Sequence, residues 1–175
     1  HHDLWSLRGI GLPADRLPMT LGCDAAGIDE QGNEVVVYTV VSDAPFGTDE
    51  TIDESRSILS EKFPGTFSER FAIPARNLIA KPTNWSWAEA ACLPTAWLTA
   101  YRMLAVRSGL RPGNTVLVQG AGGGVATACI ALGAAMGFRV WATSRDEEKR
   151  ARALELGAHE VFESGARLPD RVDAV

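Results

Sequence analysis

The amino-acid sequence predicts an α/β protein: a small β domain over residues 1–80, followed by the first half of a doubly wound parallel sheet over residues 81–175. Three observations lead there. Before residue 80 the apolar runs are short, rich in β-branched residues and separated by turn signals, with no long helical period. After it, strand-like and helix-like stretches alternate, the pattern of parallel strands joined by right-handed crossovers. Between residues 115 and 150 an apolar run enters a turn of small residues, a helix pattern follows, and a second strand arrives near residue 140.

The elements follow in order. Residues 1–12 mix apolar and polar side chains and close in Gly9-Ile10-Gly11, with a turn through Leu12-Pro13 and Leu17-Pro18. Residues 21–28 read as a strand whose small residues allow close backbone approach, and residues 29–33 as a turn. Residues 34–41, with five valines, carry the strongest strand signal in the first part. A polar stretch from 42 to 61 has room for a short helix within 49–59, and residues 67–74 look like a further strand.

Lys81-Pro82 marks the change of style. Ser86 and Glu89 fit a capping box, in which the serine oxygen accepts from the third-residue amide and the glutamate reaches back. Residues 89–104 then read as helix, which Pro94 must kink or split because it lacks an N–H. Residues 115–119 are the first strand of the second part, and residues 125–136 a helix rich in Ala and Gly that can lie close on a sheet. Residues 138–143 are the second strand, 146–156 a polar-faced helix stopped by Gly157, and 159–162 a third strand. Residues 171–175 read as the start of another. A doubly wound sheet needs more strands than these, so the sequence is expected to be a piece of a longer polypeptide.

The turn carries chemistry. Its best-fitting residues are Ala121-Gly122-Gly123-Gly124-Val125-Ala126, with Gly120 just before. Residues without bulky side chains let the backbone approach a pyrophosphate, and the following helix offers unpaired N–H groups and the positive end of its dipole. A tight turn without a ligand is the alternative; the flanking strand, helix and second strand weigh against it. At the end of the second strand a site for NAD usually places Asp or Glu on the ribose. Here Ser144 stands without charge, Arg145 supplies a planar cation suited to a phosphate, and Lys149 lies one helical turn beyond. The expected cofactor is therefore NADP; a solvated helix start is the plainer account of both cations. Asp146 is expected to cap the next helix.

Composition sets the bounds. A net charge of −5 argues against a general nucleic-acid binder, which would favour a basic stripe. No apolar run approaches the roughly 20 residues of a membrane span, and the start lacks the apolar centre of a signal peptide. Cys23, Cys92 and Cys129 are odd in number and widely spaced, with neither a metal-ligand spacing nor a disulfide framework; a reducing cytoplasm is the expected compartment.

Taken together the sequence resembles the medium-chain dehydrogenase/reductase superfamily, on its zinc-type alcohol dehydrogenase-like and quinone oxidoreductase side. The resemblance is carried by an ordered set spanning nearly the whole chain: His2-Asp3, residues 21–27, residues 65–69, Ile73-Pro74 with 78–82, residues 90–96 with 98–101, residues 109–113, and the 116–126 fingerprint. It implies a GroES-like β domain, partial at its start, followed by the first half of a Rossmann domain. It implies that Thr99 lies beside the nicotinamide and that the Ala121–Ala126 turn holds the pyrophosphate. It also implies a homodimer in the full-length protein. The departures concern metal. Zinc-dependent relatives place His-Glu where this chain has Cys23-Asp24, and a cysteine where it has Thr95; their catalytic Cys-x-x-Asp cysteine would precede His1. Cys23 and Asp24 are chemically capable ligands, but Thr95 is a poor one, and residues 42–65 lack the cysteines of a structural zinc loop. No metal is expected.

Without a Lewis acid the reaction must rest on the hydride chemistry of the cofactor, which suits quinones and α,β-unsaturated carbonyls. His2 and Asp3 are the candidate catalytic pair, an imidazole able to donate near neutral pH oriented by a carboxylate; a purely structural Asp3 and surface histidines are the alternative. Two further readings stay open: a zinc alcohol dehydrogenase using Cys23, and a dinucleotide-binding protein without turnover.

Overall fold

In the computed structural model, which describes residues 1–45 and 48–175, the valine run of the first part becomes two strands rather than one. The interruption at Tyr38 and Thr39 is held by one side chain. Asn77, almost fully buried, donates through Nδ2 to the Tyr38 carbonyl at 2.8 Å and the Val40 carbonyl at 2.6 Å. A buried amide with its donors satisfied replaces ladder hydrogen bonds that the broken strand loses.

The chain divides into two units, His1–Thr95 and Ala96–Val175. In the first, helix α1 (His2–Leu7) precedes strand β1 (Ala26–Ile28), β2 (Glu34–Val37), β3 (Val40–Val41), β4 (Ser57–Ile58) and β5 (Leu78–Ala80). β1, β2 and β5 form an antiparallel sheet in the order β1-β2-β5, with Ala26 opposite Val36 and Val36 opposite Ile79. β3 and β4 pair antiparallel as a separate ribbon. Val37, Val41 and Leu59 are the buried centre, with Phe63, Phe71 and Ile73 packed against it. Helix α2 (Trp87–Ala91) starts on the expected capping box: Ser86 Oγ accepts from the Glu89 amide at 3.3 Å, and the Glu89 carboxylate accepts from the Ser86 amide at 2.9 Å.

Two expected strands are corrected. Of residues 21–28 only Ala26–Ile28 forms a strand. Gly22 sits at φ +103°, outside the pleated conformation, and its amide is taken by Asp3 Oδ1 at 2.8 Å instead of a ladder partner. The close approach expected there is real: a Cβ on Gly65 would stand 2.4 Å from the Gly22 carbonyl oxygen. Residues 67–74 form no strand; the third place in the sheet goes to the shorter Leu78–Ala80, after a 3₁₀ turn at Ala75–Asn77. The room left for a helix within 49–59 is used by a 3₁₀ turn at Glu50–Ile52, capped by Asp49, and by β4.

The expected helix over 89–104 is broken, as Pro94 requires. A π-helical turn, Leu93–Trp97, follows α2 and is succeeded by helix α3 (Leu98–Tyr101) and a second π segment, Arg102–Arg107. In the second unit β6 (Thr115–Val118), helix α4 (Gly124–Ala135), β7 (Arg139–Thr143), helix α5 (Glu147–Glu155) and β8 (Glu160–Phe162) alternate as expected. The three strands are parallel, in the order β6-β7-β8. Ala174 makes a parallel bridge to Val116 and its carbonyl accepts from the Leu117 amide at 2.9 Å, so the chain returns to the opposite flank of β6. β7 and the returning segment thus lie on either side of β6, the strand where the order reverses and where open α/β sheets bind ligands beyond their carboxyl ends.

The core of this unit is the α4–sheet interface. Ala128, Val140 and Ala142 are fully buried and Ile130 nearly so. The buried residues of α4 are Ala128, Cys129, Ile130 and Gly133, and at Gly133 a Cβ would stand 2.9 Å from Val140 Cγ2, so the helix lies as close to β7 as a glycine permits. Burying a side chain such as Ile130 contributes about 1.5–3 kcal/mol.

Candidate functional site

The small-residue turn leaves β6 as expected. Gly120 and Gly122 have φ +72° and +103°, and Gly123 is the N-cap of α4, with no side chain capping the helix. Gly122 is the position where the turn requires glycine: its φ is foreign to L-residues, and a Cβ would stand 2.7 Å from Lys149 Cδ. The stem of Lys149 therefore runs across the turn. Its Nζ lies 3.9 Å from Asp146 Oδ2, and both side chains are about half-exposed. Among the described residues the amides of Gly124, Val125 and Ala126 have no hydrogen-bond partner, an arrangement suited to an anion.

The second strand ends beside it. Ser144 is buried, its Oγ accepting from the Asp146 amide at 3.2 Å and its carbonyl accepting from the Arg150 guanidinium at 2.7 Å. Its hydroxyl is thus part of the strand-to-helix turn. Asp146 caps α5 as expected, Oδ1 accepting from the Lys149 amide at 3.2 Å. Arg145 is exposed and makes no hydrogen bond or ion pair among the described residues. Thr99 is exposed on α3, the short helix packed against α4.

Sequence reasoning missed the floor of this region. A hollow of about 600 Å³ lies at the ends of the parallel strands, lined by Gln119, Gly120, Thr143, Ser164, Gly165 and Leu168 among others. That volume is within the usual range for a small-molecule site. Gly120 and Thr143 were findable as strand-end positions. Ser164 and Gly165 follow the third strand, and only the parallel pairing of β8 brings them to the same end.

The first unit holds a second constellation. His2 and Asp3, on α1, meet Cys23; the three donor atoms lie within 4.8 Å of one another. His2 Nδ1 is 3.6 Å from Cys23 Sγ and 3.8 Å from Asp3 Oδ1. His2 Nε2 is 3.0 Å from Glu61 Oε1. A carboxylate accepts only, so His2 Nε2 donates to Glu61, and Nδ1 is the ring atom on the side of the thiol. Asp3 does not reach the ring as a hydrogen-bond partner; Glu61, which nothing in the residue pattern singles out, is the carboxylate hydrogen-bonded to it. His2 is partly buried, placed between the thiol and Glu61.

Burial, followed by the nearby carboxylates of Asp3, Asp24 and Glu61, pushes the Cys23 thiol up to about 12. It is therefore an S–H donor, and the Leu59 carbonyl accepts it at 3.2 Å. Partial desolvation pushes the Asp24 carboxyl above its usual range, against the pull of the Thr95 amide, which donates to Oδ1 at 2.9 Å. Asp24 thus makes a fixed structural contact. The N, S and O donors of His2, Cys23 and Asp3 are those zinc accepts.

No family model matches the chain. It is 36% identical over 163 residues to the acryloyl-coenzyme A reductase of Metallosphaera sedula, covering 85% of this chain and 48% of that protein. Among solved structures, an NAD-dependent alcohol dehydrogenase superposes with a TM-score of 0.84 at 35% identity, covering 97% of this chain and 53% of that one. The quinone oxidoreductase of Thermus thermophilus, solved also in complex with NADPH, superposes with a TM-score of 0.63 at 32% identity over 81% of this chain and 40% of that one. The chain spans about half the length of these relatives.

Proposed function

The chain belongs to the medium-chain dehydrogenase/reductase superfamily, and on that premise we propose that it is an NADPH-dependent oxidoreductase acting on quinones or α,β-unsaturated carbonyls without zinc. The observation that carries the reading is the start of α4, without a side-chain cap, behind a glycine turn, with Arg145, which has no partner among the described residues, at the end of the neighbouring strand. Names among the relatives support both halves: a quinone oxidoreductase solved with NADPH, and an acryloyl-coenzyme A reductase.

NADPH when bound supplies the hydride. The residues of this chain do the rest. The amides from Gly124 to Ala126 bind the pyrophosphate, where bare backbone and the helix dipole favour anionic oxygens. Arg145 clamps the 2′-phosphate and Lys149 adds charge from across the turn. Ser144 keeps a carboxylate from that position. Thr99 orients the nicotinamide. In the first unit His2 carries the proton that completes reduction, with Glu61 fixing its tautomer and Asp3 bonded to Gly22 to hold the loop. An electron-poor acceptor needs no metal to take up hydride.

The test is cofactor oxidation across a panel of quinones and enones, with NADPH and NADH compared. Arg145→Ala is expected to lower the NADPH-over-NADH preference in kcat/KM about ten- to a hundredfold, the worth of a charge-assisted hydrogen bond. An unchanged preference would remove Arg145 from the site. Binding of NADPH with no oxidation of it by any acceptor would leave a dinucleotide-binding protein instead.

A further inference from the structure

We propose that Arg150 is a positioning residue for recognition of the 2′-phosphate: its guanidinium holds the peptide plane from which Arg145 projects, and so sets the preference for NADPH over NADH. The inference deepens the reductase reading and rests on its assignment of Arg145 to that phosphate. Arg150 acts through Arg145 and is given no contact with the cofactor.

Three observations build it. The first is a run of anchored peptide planes. Between Thr143 and Ser144 the carbonyl accepts from the Ala121 amide at 2.8 Å and the amide donates to the Phe162 carbonyl at 3.1 Å. Between Ser144 and Arg145 the carbonyl accepts from Arg150 Nη1 at 2.7 Å. Between Arg145 and Asp146 the amide donates to Ser144 Oγ at 3.2 Å. Both planes flanking Arg145 are therefore held, and with only two soft dihedrals per residue that sets the direction in which its side chain leaves the backbone. The Ala121 bond ties the same planes to the glycine turn, so the pyrophosphate and 2′-phosphate positions share one frame. The second observation is what Arg150 pairs with. Arg139 and Arg152 pair with Glu160 and Glu155. Arg150, on a helix that opens with Glu147 and Glu148, pairs with no carboxylate among the described residues and donates to a neutral carbonyl instead. It is partly buried, whereas Glu147, Glu148 and Lys149 beside it are exposed. The third is electrostatic cost. Ser144 precedes the N-cap Asp146, so the bond draws a cation back past the start of α5, the end whose dipole disfavours positive charge. Helix stability does not account for a contact in that place; holding Arg145 does.

A guanidinium suits the task. Its planar fork donates in a fixed direction, and it stays charged at any working pH. Without it the Ser144 carbonyl loses its partner, and ψ of Ser144 and φ of Arg145 are released together. Arg145 then samples directions that miss the phosphate, and ordering it again costs conformational entropy on binding. The loss falls on the dinucleotide that carries the 2′-phosphate and spares the one that lacks it.

Calorimetric titration with NADPH and with NADH tests the role without turnover. Arg150→Met keeps the apolar stem and removes the donors; Arg150→Lys keeps one charged donor. Arg150→Met is expected to lower the NADPH-over-NADH ratio of affinities about three- to tenfold, the span of one hydrogen bond, and Arg150→Lys by less. In the Arg145→Ala background Arg150→Met is expected to change the ratio no further, because a residue that acts through another has nothing left to position. Thermal midpoints show that the variants are folded, and Arg150→Lys carries the same comparison if Arg150→Met does not fold. An equal loss for both dinucleotides makes Arg150 structural only and overturns the proposal. So does a fall of the same size in the Arg145→Ala background, which makes Arg150 an independent phosphate contact. If Arg145→Ala lowers the ratio and Arg150→Met does not, the positioning role fails and the phosphate reading stands. If Arg145→Ala leaves the ratio unchanged, that reading fails and this role with it.

Discussion

Gly122 shows how much one residue decides. At φ +103° with Lys149 across it, the position admits neither an L-side chain nor a Cβ without strain. Gly122→Ala is expected to cost about 1–2 kcal/mol in backbone strain and to push Lys149 off the turn, so NADPH affinity measured by calorimetry should fall further than the thermal midpoint suggests. The cysteines give a second prediction. Burial pushes Cys23 and Cys129 up, so their reactive thiolates are scarce near neutral pH, whereas Cys92 is exposed. Alkylation at pH 8 followed by mass spectrometry should modify Cys92 alone, with Cys23 and Cys129 labelled only on unfolding. At this scale the sequence is partly legible. Ser86 with Glu89, and Asp146 as a cap, are local pairs whose geometry follows from spacing on a helix. Glu61 is not legible, because it meets His2 across 59 residues of chain and no spacing rule connects them.

Elements are most legible where periodicity is long. β6, α4, β7, α5 and β8 follow the expected order, with no boundary moved by more than one residue. The short strands of the first unit are less so, because Gly22 and Asn77 replace regular pairing by local side-chain and turn geometry that an apolar count does not see. Close packing of α4 is testable here. Gly133→Ala places a methyl 2.9 Å from Val140 Cγ2 and should destabilise the protein by about 1–3 kcal/mol in urea unfolding. Asp146→Ala removes a helix cap and should cost about 1 kcal/mol, with no effect on the α4 end of the turn.

The whole chain places its two chemical constellations in different units, the anion-binding turn in Ala96–Val175 and the His2–Asp3–Cys23 group in His1–Thr95. Hydrogen exchange can separate them. NADPH at a hundred times its Kd adds about 2.7 kcal/mol to the folded state, and the protection gained is expected at residues 119–126, 143–150 and 164–168. Equal protection at residues 20–25 would contradict that division. The same large scale explains what reading along the sequence could not give. The hollow at the strand ends exists only when three strands and the loop after β8 converge, and no residue in it is distinctive alone.

The return of Ala174 to the free flank of β6 carries a consequence for how the polypeptide emerges from the ribosome. Thr115 and Asp173, joined by an amide–carboxylate hydrogen bond at the same junction, are 58 residues apart. At translation speeds of about 5–20 residues per second, that separation leaves one side of the strand unpaired for on the order of 3–12 seconds. For that interval β6, with its buried Val116, Leu117 and Val118, is an exposed apolar edge on a nascent chain, the kind of surface that holding chaperones cover.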